Sequence, residues 1–176
     1  MATRNNVTRL LDSQKIPYQV FELKSGDKAS ALETASQLGV VPDVVFKTIV
    51  VTRIGRGKPI LAIVPAPSEV DLKAVASAIQ EKKVLLPTQR EAEQLTGLQA
   101  GGISPLALLN KGFQILLDSS ANQFLEIHIS GGQRGMNIRL PVNALIRLTK
   151  AKVAQVAKIP TSSQGVTDSA QRNPSE

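Results

Sequence analysis

The sequence contains no cysteine, no tryptophan and a single histidine among its 176 residues. Without cysteine, disulfides, thiolate metal sites and a cysteine nucleophile are excluded. With His128 alone, a two-histidine metal site is excluded too, and a serine–histidine pair has one candidate base. No metal or other cofactor is expected. Aromatic residues make up 3% of the chain, which argues against extended single-strand binding by base stacking. No apolar run approaches the length of a membrane span, and the first residues lack the apolar core of a signal peptide, so the cytoplasm is the default expectation. Acidic residues are the minority charge: 14 Asp and Glu stand against 21 Lys and Arg, for a formal net charge of +7. That excess suits a polyanionic partner through phosphate neutralisation, and it equally suits a basic protein without one.

What is present is aliphatic. Hydrophobic residues reach 42%, so the core is expected from Val, Ile, Leu and Ala, in one domain over residues 1–158. Residues 159–176 are polar, carry no apolar period and read as a disordered tail.

Residues 5–14 have Val7, Leu10 and Leu11 at helical spacing, and residues 18–23 read as a strand. Ser25-Gly26-Asp27 is a turn that could cap a second helix, with Ala31, Leu32, Ala35 and Leu38 on its apolar side and Gly39 ending it. The β-branched run 44–51 predicts a strand covered on both faces, and Gly55-Arg56-Gly57 turns it into an antiparallel partner at 60–64. Asp71 caps a helix, 84–86 is a brief strand, and Thr88 with Glu91 forms a capping box for a helix that stops before Gly97. Strands are predicted at 113–117, 125–130 and 136–140, the last two forming a hairpin, with a helix after them at 142–148 and Pro141 in its first turn. Residues 151–157 read as a further helical turn or two. The fold class is mixed α/β, because hairpins interrupt any purely parallel sheet.

The stretch with most chemical content is Gly101-Gly102-Ile103-Ser104-Pro105-Leu106. Adjacent glycines permit positive φ and close approach, and Pro105 stiffens the loop beyond them, so it could aim backbone N–H groups at an oxygen. A tight turn is the plainer reading. Lys47 sits in an apolar strand, where its ammonium either reaches solvent at the strand's start or serves as a fixed cation for phosphate or a polarised carbonyl. Ser104 lacks the Gly-x-Ser-x-Gly setting of a nucleophile, and His128 alternates with Ile127 and Ile129, which predicts a surface position; no Ser–His pair is proposed. Asp118 reads as a turn cap, and Arg134 as either a phosphate grip or a solvated turn residue.

Four motifs in order carry a resemblance: Val45-Phe46-Lys47-Thr48, Asp71-Leu72-Lys73, the Gly101 to Leu106 loop and Ser130-Gly131-Gly132-Gln133-Arg134-Gly135. From Val7 to Ala157 the chain resembles the YbaK-type aminoacyl-tRNA deacylases, relatives of the editing domain of bacterial prolyl-tRNA synthetases. The resemblance implies one compact α/β domain with a mixed, barrel-like sheet flanked by helices. It further implies metal-free hydrolysis of the ester joining a wrong amino acid to the 3′ end of tRNA, chiefly proline tRNA, with prolyl-tRNA synthetase as a further partner. By that resemblance Lys47 anchors the substrate and the backbone of Gly101, Gly102, Ile103 and Ser104, stiffened by Pro105, holds the ester. Ser130, Gly131 and Arg134 belong to the second loop bordering the pocket. Attack comes from water, or from the substrate's own side chain when that is a thiol. Two pocket positions depart from the cysteine-removing branch: Leu23 stands where that branch has tyrosine, and Asn137 where it has aspartate. A different small amino acid, alanine or serine, fits the departures, as does a rival reading in which the chain is a catalytically silent module docking tRNA or prolyl-tRNA synthetase.

Overall fold

A computed structural model describes residues 4–24 and 29–160. The elements in order are α1 (Asn6–Ser13), β1 (Gln19–Glu22), α2 (Ala31–Leu38), β2 (Phe46–Arg53), β3 (Ile60–Pro65), β4 (Glu69–Val70), α3 (Leu72–Ala78), β5 (Val84–Leu85), α4 (Gln89–Thr96), β6 (Gln114–Asp118), β7 (Glu126–Ser130), β8 (Met136–Pro141), α5 (Val142–Thr149), β9 (Lys152–Ala154) and β10 (Ala157–Lys158).

Turn and cap chemistry sets most boundaries. The Asp71 carboxylate accepts from the Ala74 N–H at the start of α3, and Thr88 and Glu91 form the reciprocal capping box of α4. Gly39 and Gly97 end α2 and α4 in the left-handed conformation, at φ 68° and 72°. The N-cap of α2 is Ser30, whose hydroxyl accepts from Glu33 N–H, in place of the 25–27 turn expected from sequence. The 25–27 turn itself lies outside the described residues. Pro141 is the last residue of β8 and the N-cap of α5, one position earlier than a first-turn proline.

The main sheet runs β5-β2-β3-β6-β9, antiparallel as far as β3 and parallel from β3 through β6 to β9. A second sheet, β1-β8-β7, is antiparallel, and β10 pairs with β4. A parallel bridge between Val45 and His128 joins the first two sheets at their edges. Among the described residues the sheets do not close into a barrel, so the barrel-like form implied by the resemblance is corrected to separate sheets joined by that bridge.

The central strand is β3, all six of whose residues are buried; β2, expected to be covered on both faces, is only partly so. Period-two alternation explains β3. Leu61 and Ile63 face one core with Leu11, Leu117, Ile129 and Leu145, while Ile60, Ala62 and Val64 face another with Val75, Leu116 and Val156. Each large aliphatic side chain removed from water stabilises by about 1.5–3 kcal/mol. Residues 151–157 are not helical. They form β9 and β10, because Leu117 pairs with Val153, Val70 pairs with Ala157, and the buried Asp118 carboxylate accepts from the N–H groups of both Val156 and Ala157 at 2.9 Å. Asp118 also caps its own turn through Ser120, as expected. Among the described residues, no helix is long and apolar enough to cross a membrane.

Candidate active site

A cavity of about 380 Å³ opens between β2, the start of α2, the loop after α4 and the β7–β8 turn. Its size falls within the range of small-molecule sites. Leu23, Lys47, Gly101, Ile103, Ser130, Arg134 and Asn137 all line it, drawn from stretches of chain far apart in sequence. Gly102, Ser104, Pro105 and Gly131 do not.

Lys47 enters from β2, where it pairs with Val64. Its ammonium is half-buried and, among the described residues, bonds to no carboxylate: Nζ donates to the Ala66 carbonyl at 3.2 Å. Partial burial draws its pKa below the ordinary lysine value, while the charge of Glu69 acts in the opposite sense. An ammonium held this way is a fixed positive charge at the edge of a largely apolar cavity. The next residue, Thr48, also lines the cavity, and its Oγ1 is buried with no hydrogen-bond partner among the described residues. Thr48 is not among the site residues expected from sequence; its signal there is its place beside Lys47 in the Val45-Phe46-Lys47-Thr48 motif.

The two glycines of the 101–106 loop serve different ends. Gly101 takes φ 86°, a conformation that L side chains rarely adopt. Gly102 has ordinary φ but no room: an added Cβ would lie 3.0 Å from Gln133 Cα and 3.1 Å from Arg134 N. The close approach expected of this loop is therefore made by the protein's own second glycine turn. Gly102 N–H already donates to the Gln99 carbonyl at 2.8 Å, so it is not available to a substrate. The N–H groups of Gly101 and Ile103, on either side, make no hydrogen bond among the described residues.

Arg134 ties the two glycine segments together. Its Nε donates to the Ala100 carbonyl at 2.8 Å, which makes it a structural strut as well as a lining residue. Ser130 Oγ donates to Gly101 O at 3.4 Å and accepts from Gly132 N–H at 3.3 Å. Ser104 is fully buried, and its hydroxyl accepts from Leu106 N–H at the start of a 3-10 turn, with Pro105 next in line. As a substrate contact it is excluded by burial.

His128 is a correction. Expected at the surface, it is 3% exposed, with its ring 5.4 Å from that of Phe21 and Nδ1 2.9 Å from Asn137 Oδ1. Burial is the largest influence on its pKa and lowers it; Asn137 and Glu126 act upward and Arg139 downward. The pair spans β7 and β8 and orients the Asn137 carboxamide at the cavity wall. Among the described residues no three His, Asp or Glu side chains gather where they could hold a metal ion.

Among the described residues, the arrangement has a fixed cation, backbone donors and a hydroxyl without hydrogen-bond partners, and no Ser–His pair, since Ser104 and His128 are both committed elsewhere. A family model for the aminoacyl-tRNA editing domain matches residues 26–148. The chain belongs to the aminoacyl-tRNA editing family. A relative from Enterococcus faecalis, provisionally named Cys-tRNA(Pro)/Cys-tRNA(Cys) deacylase EbsC, is 35% identical over 154 residues, covering 87% of this chain and 93% of that one. Among solved structures, the editing domain superposes on a hypothetical protein with TM-score 0.79 at 20% identity, covering 88% of this chain and 100% of the other. It also superposes on a protein provisionally described as a trans-editing enzyme for prolyl-tRNA synthetase, with TM-score 0.72 at 22% identity and coverage of 89% and 99%. At these identities the superpositions establish the shared fold.

Proposed function

We propose that this editing domain acts in trans, in the cytoplasm, to hydrolyse the ester bond of mischarged aminoacyl-tRNA, with a small amino acid on proline tRNA as the substrate. The observation that carries the reading is that Lys47, Gly101 and Ile103 line one cavity of about 380 Å³, and that the N–H groups of the latter two make no hydrogen bond among the described residues. An aminoacyl ester is already activated, so orientation and oxyanion stabilisation suffice. Each well-aimed backbone donor to a developing oxyanion is worth about 2.7–4 kcal/mol, and a held ester gains further from reduced translational freedom.

In this scheme Lys47 anchors the terminal adenosine or its phosphate. The N–H groups of Gly101 and Ile103 face the ester oxygen, and the Thr48 hydroxyl supplies one further polar contact. Attack on the ester carbonyl comes from water, which releases the free amino acid, or from a substrate thiol, which closes a cyclic thioester; in both cases the ester C–O bond breaks and the terminal ribose leaves as its hydroxyl. Ile103, Leu23 and the methylenes of Arg134 give the amino-acid end an apolar wall, broken by the Asn137 amide. The relative named for cysteinyl substrates supports the class of reaction, while Leu23 and Asn137 leave alanine and serine as substrates in view. The net charge of +7 suits the tRNA body and predicts affinity that falls steeply with added salt. The same kinship supports prolyl-tRNA synthetase as a docking partner.

The test is a panel of cysteinyl-, alanyl- and seryl-tRNA for proline offered to the purified protein. Turnover of one member names the substrate. If all bind and every ester stays intact, the chain is a silent tRNA-binding module and the proposal falls.

A further inference from the structure

At one side of the cavity, three segments of chain are stacked in close contact. The first is the 101–103 loop. Against it lies the 130–135 turn, touching at Gly102, where the three atoms nearest an added Cβ are backbone atoms of Gln133 and Arg134. Against that turn lies the first turn of α1: a Cβ on Gly132, at φ 95°, would come 3.0 Å from Val7 Cγ2 and 3.7 Å from Asn5 Nδ2.

Asn5 is the fastener of the last two segments. Its Oδ1 accepts from the N–H groups of Val7 and Thr8 at 3.0 and 3.1 Å, as a helix N-cap does. Its Nδ2 turns the other way and donates to the Gly131 carbonyl at 2.8 Å, with Gln133 Oε1 and Met136 Sδ each at 3.3 Å. Capping uses only the oxygen. The amide nitrogen is what the turn uses, and among the usual cap residues only asparagine carries one.

We propose that Asn5 is a positioning residue for the active-site loop: its amide fixes the 130–135 turn, which in turn sets the 101–103 backbone at the cavity. This inference rests on the hydrolytic reading of that cavity. Aspartate at position 5 caps a helix as well as asparagine but places a carboxylate oxygen against the Gly131 carbonyl. The capping function is thereby separated from the positioning function.

Asn5→Asp, Asn5→Ala and Thr8→Ala would be compared with the wild type. Thr8→Ala removes the other half of the capping box, in which Thr8 Oγ1 bonds to Asn5 N and O, without touching the turn. The readouts are thermal melting, kcat and KM on the turned-over aminoacyl-tRNA, and the amide NMR shifts of Gly101 and Gly102. Asn5→Asp is expected to lower kcat about tenfold, the scale of a modest misplacement, with KM little changed and the Gly101 and Gly102 amides shifted. Thr8→Ala is expected to lower the melting temperature while kcat and those amides stay as in the wild type. Asn5→Ala is expected to show both effects. Wild-type kcat and unshifted glycine amides in Asn5→Asp would overturn the proposal, as would an equal kcat loss in Thr8→Ala. If the wild type hydrolyses nothing, the functional reading has failed, and the glycine amide shifts alone still decide whether Asn5 positions the loop.

Discussion

Substituting Gly102 by alanine tests whether the two glycine segments depend on backbone-to-backbone contact. The new Cβ would stand 3.0 Å from Gln133 Cα, 3.1 Å from Gln133 C and 3.1 Å from Arg134 N. Relief to an ordinary contact requires the segments to part by a few tenths of an ångström, and no side chain can swing aside to provide it. Overpacking of this kind costs about 1–3 kcal/mol. For a chain of 176 residues that corresponds to a melting temperature lower by roughly 2–12 °C. On the proposed reaction the same displacement moves the Gly101 and Ile103 backbone relative to the ester, and a misplacement below about 1 Å lowers the rate by about tenfold. Gly55→Ala is the control: it lies in the β2–β3 turn, takes no positive φ and meets nothing within 4 Å, so its melting and turnover should match the wild type. The assay is a thermal melt alongside single-turnover deacylation for both variants. A Gly102→Ala protein that melts and turns over like the wild type would refute the close-contact reasoning.

Ser104→Ala should separate burial from chemistry: losing the bond to Leu106 N–H lowers stability by about 1 kcal/mol in a melt, while kcat stays unchanged. His128 is held neutral by burial, its pKa below the ordinary 6.5, so the unfolded chain binds its proton more readily. Its stabilising contribution is complete above pH 6.5 and is lost as pH falls below that towards the folded value; melting curves between about pH 7 and 5 should therefore show a shallower acid decline in His128→Gln than in the wild type. Leu23→Tyr with Asn137→Asp restores the polar pair of the cysteine-removing branch, and should raise turnover of cysteinyl-tRNA relative to alanyl-tRNA in a competition assay. An unchanged ratio would mean that these two positions do not set the choice.

Much of the fold is legible because local chemistry decided it. Asp71, Thr88 with Glu91, Gly39 and Gly97 act through atoms within a turn of themselves, and the Gly55 and Gly57 turn dictates an antiparallel partner for β2. The illegible parts were decided at a distance. His128 alternates correctly with Ile127 and Ile129, but β7 is buried on both faces, so alternation says nothing about exposure there. Residues 151–157, rich in Ala and Val, fit a helical or a strand period equally well. The Asp118 carboxylate settles the matter from 38 positions away at Val156, together with the edges that β6 and β4 offer. At the candidate site, the sequence singles out Lys47 and the double glycine, of which Lys47 and Gly101 line the cavity. It does not say that Gly102 is small to admit Gln133, that Arg134 braces Ala100, or that a helix cap reaches across 126 positions to Gly131.

On the proposed function, ester hydrolysis takes place in the cavity lined by Lys47 and Gly101. Single-turnover hydrolysis of the preferred mischarged proline tRNA, measured with wild type and Lys47→Ala at matched purity, decides whether it does. The expected result is a rate about 100-fold lower in Lys47→Ala, with the melting temperature close to that of the wild type. A Lys47→Ala protein that hydrolyses the ester at the wild-type rate would place the chemistry elsewhere.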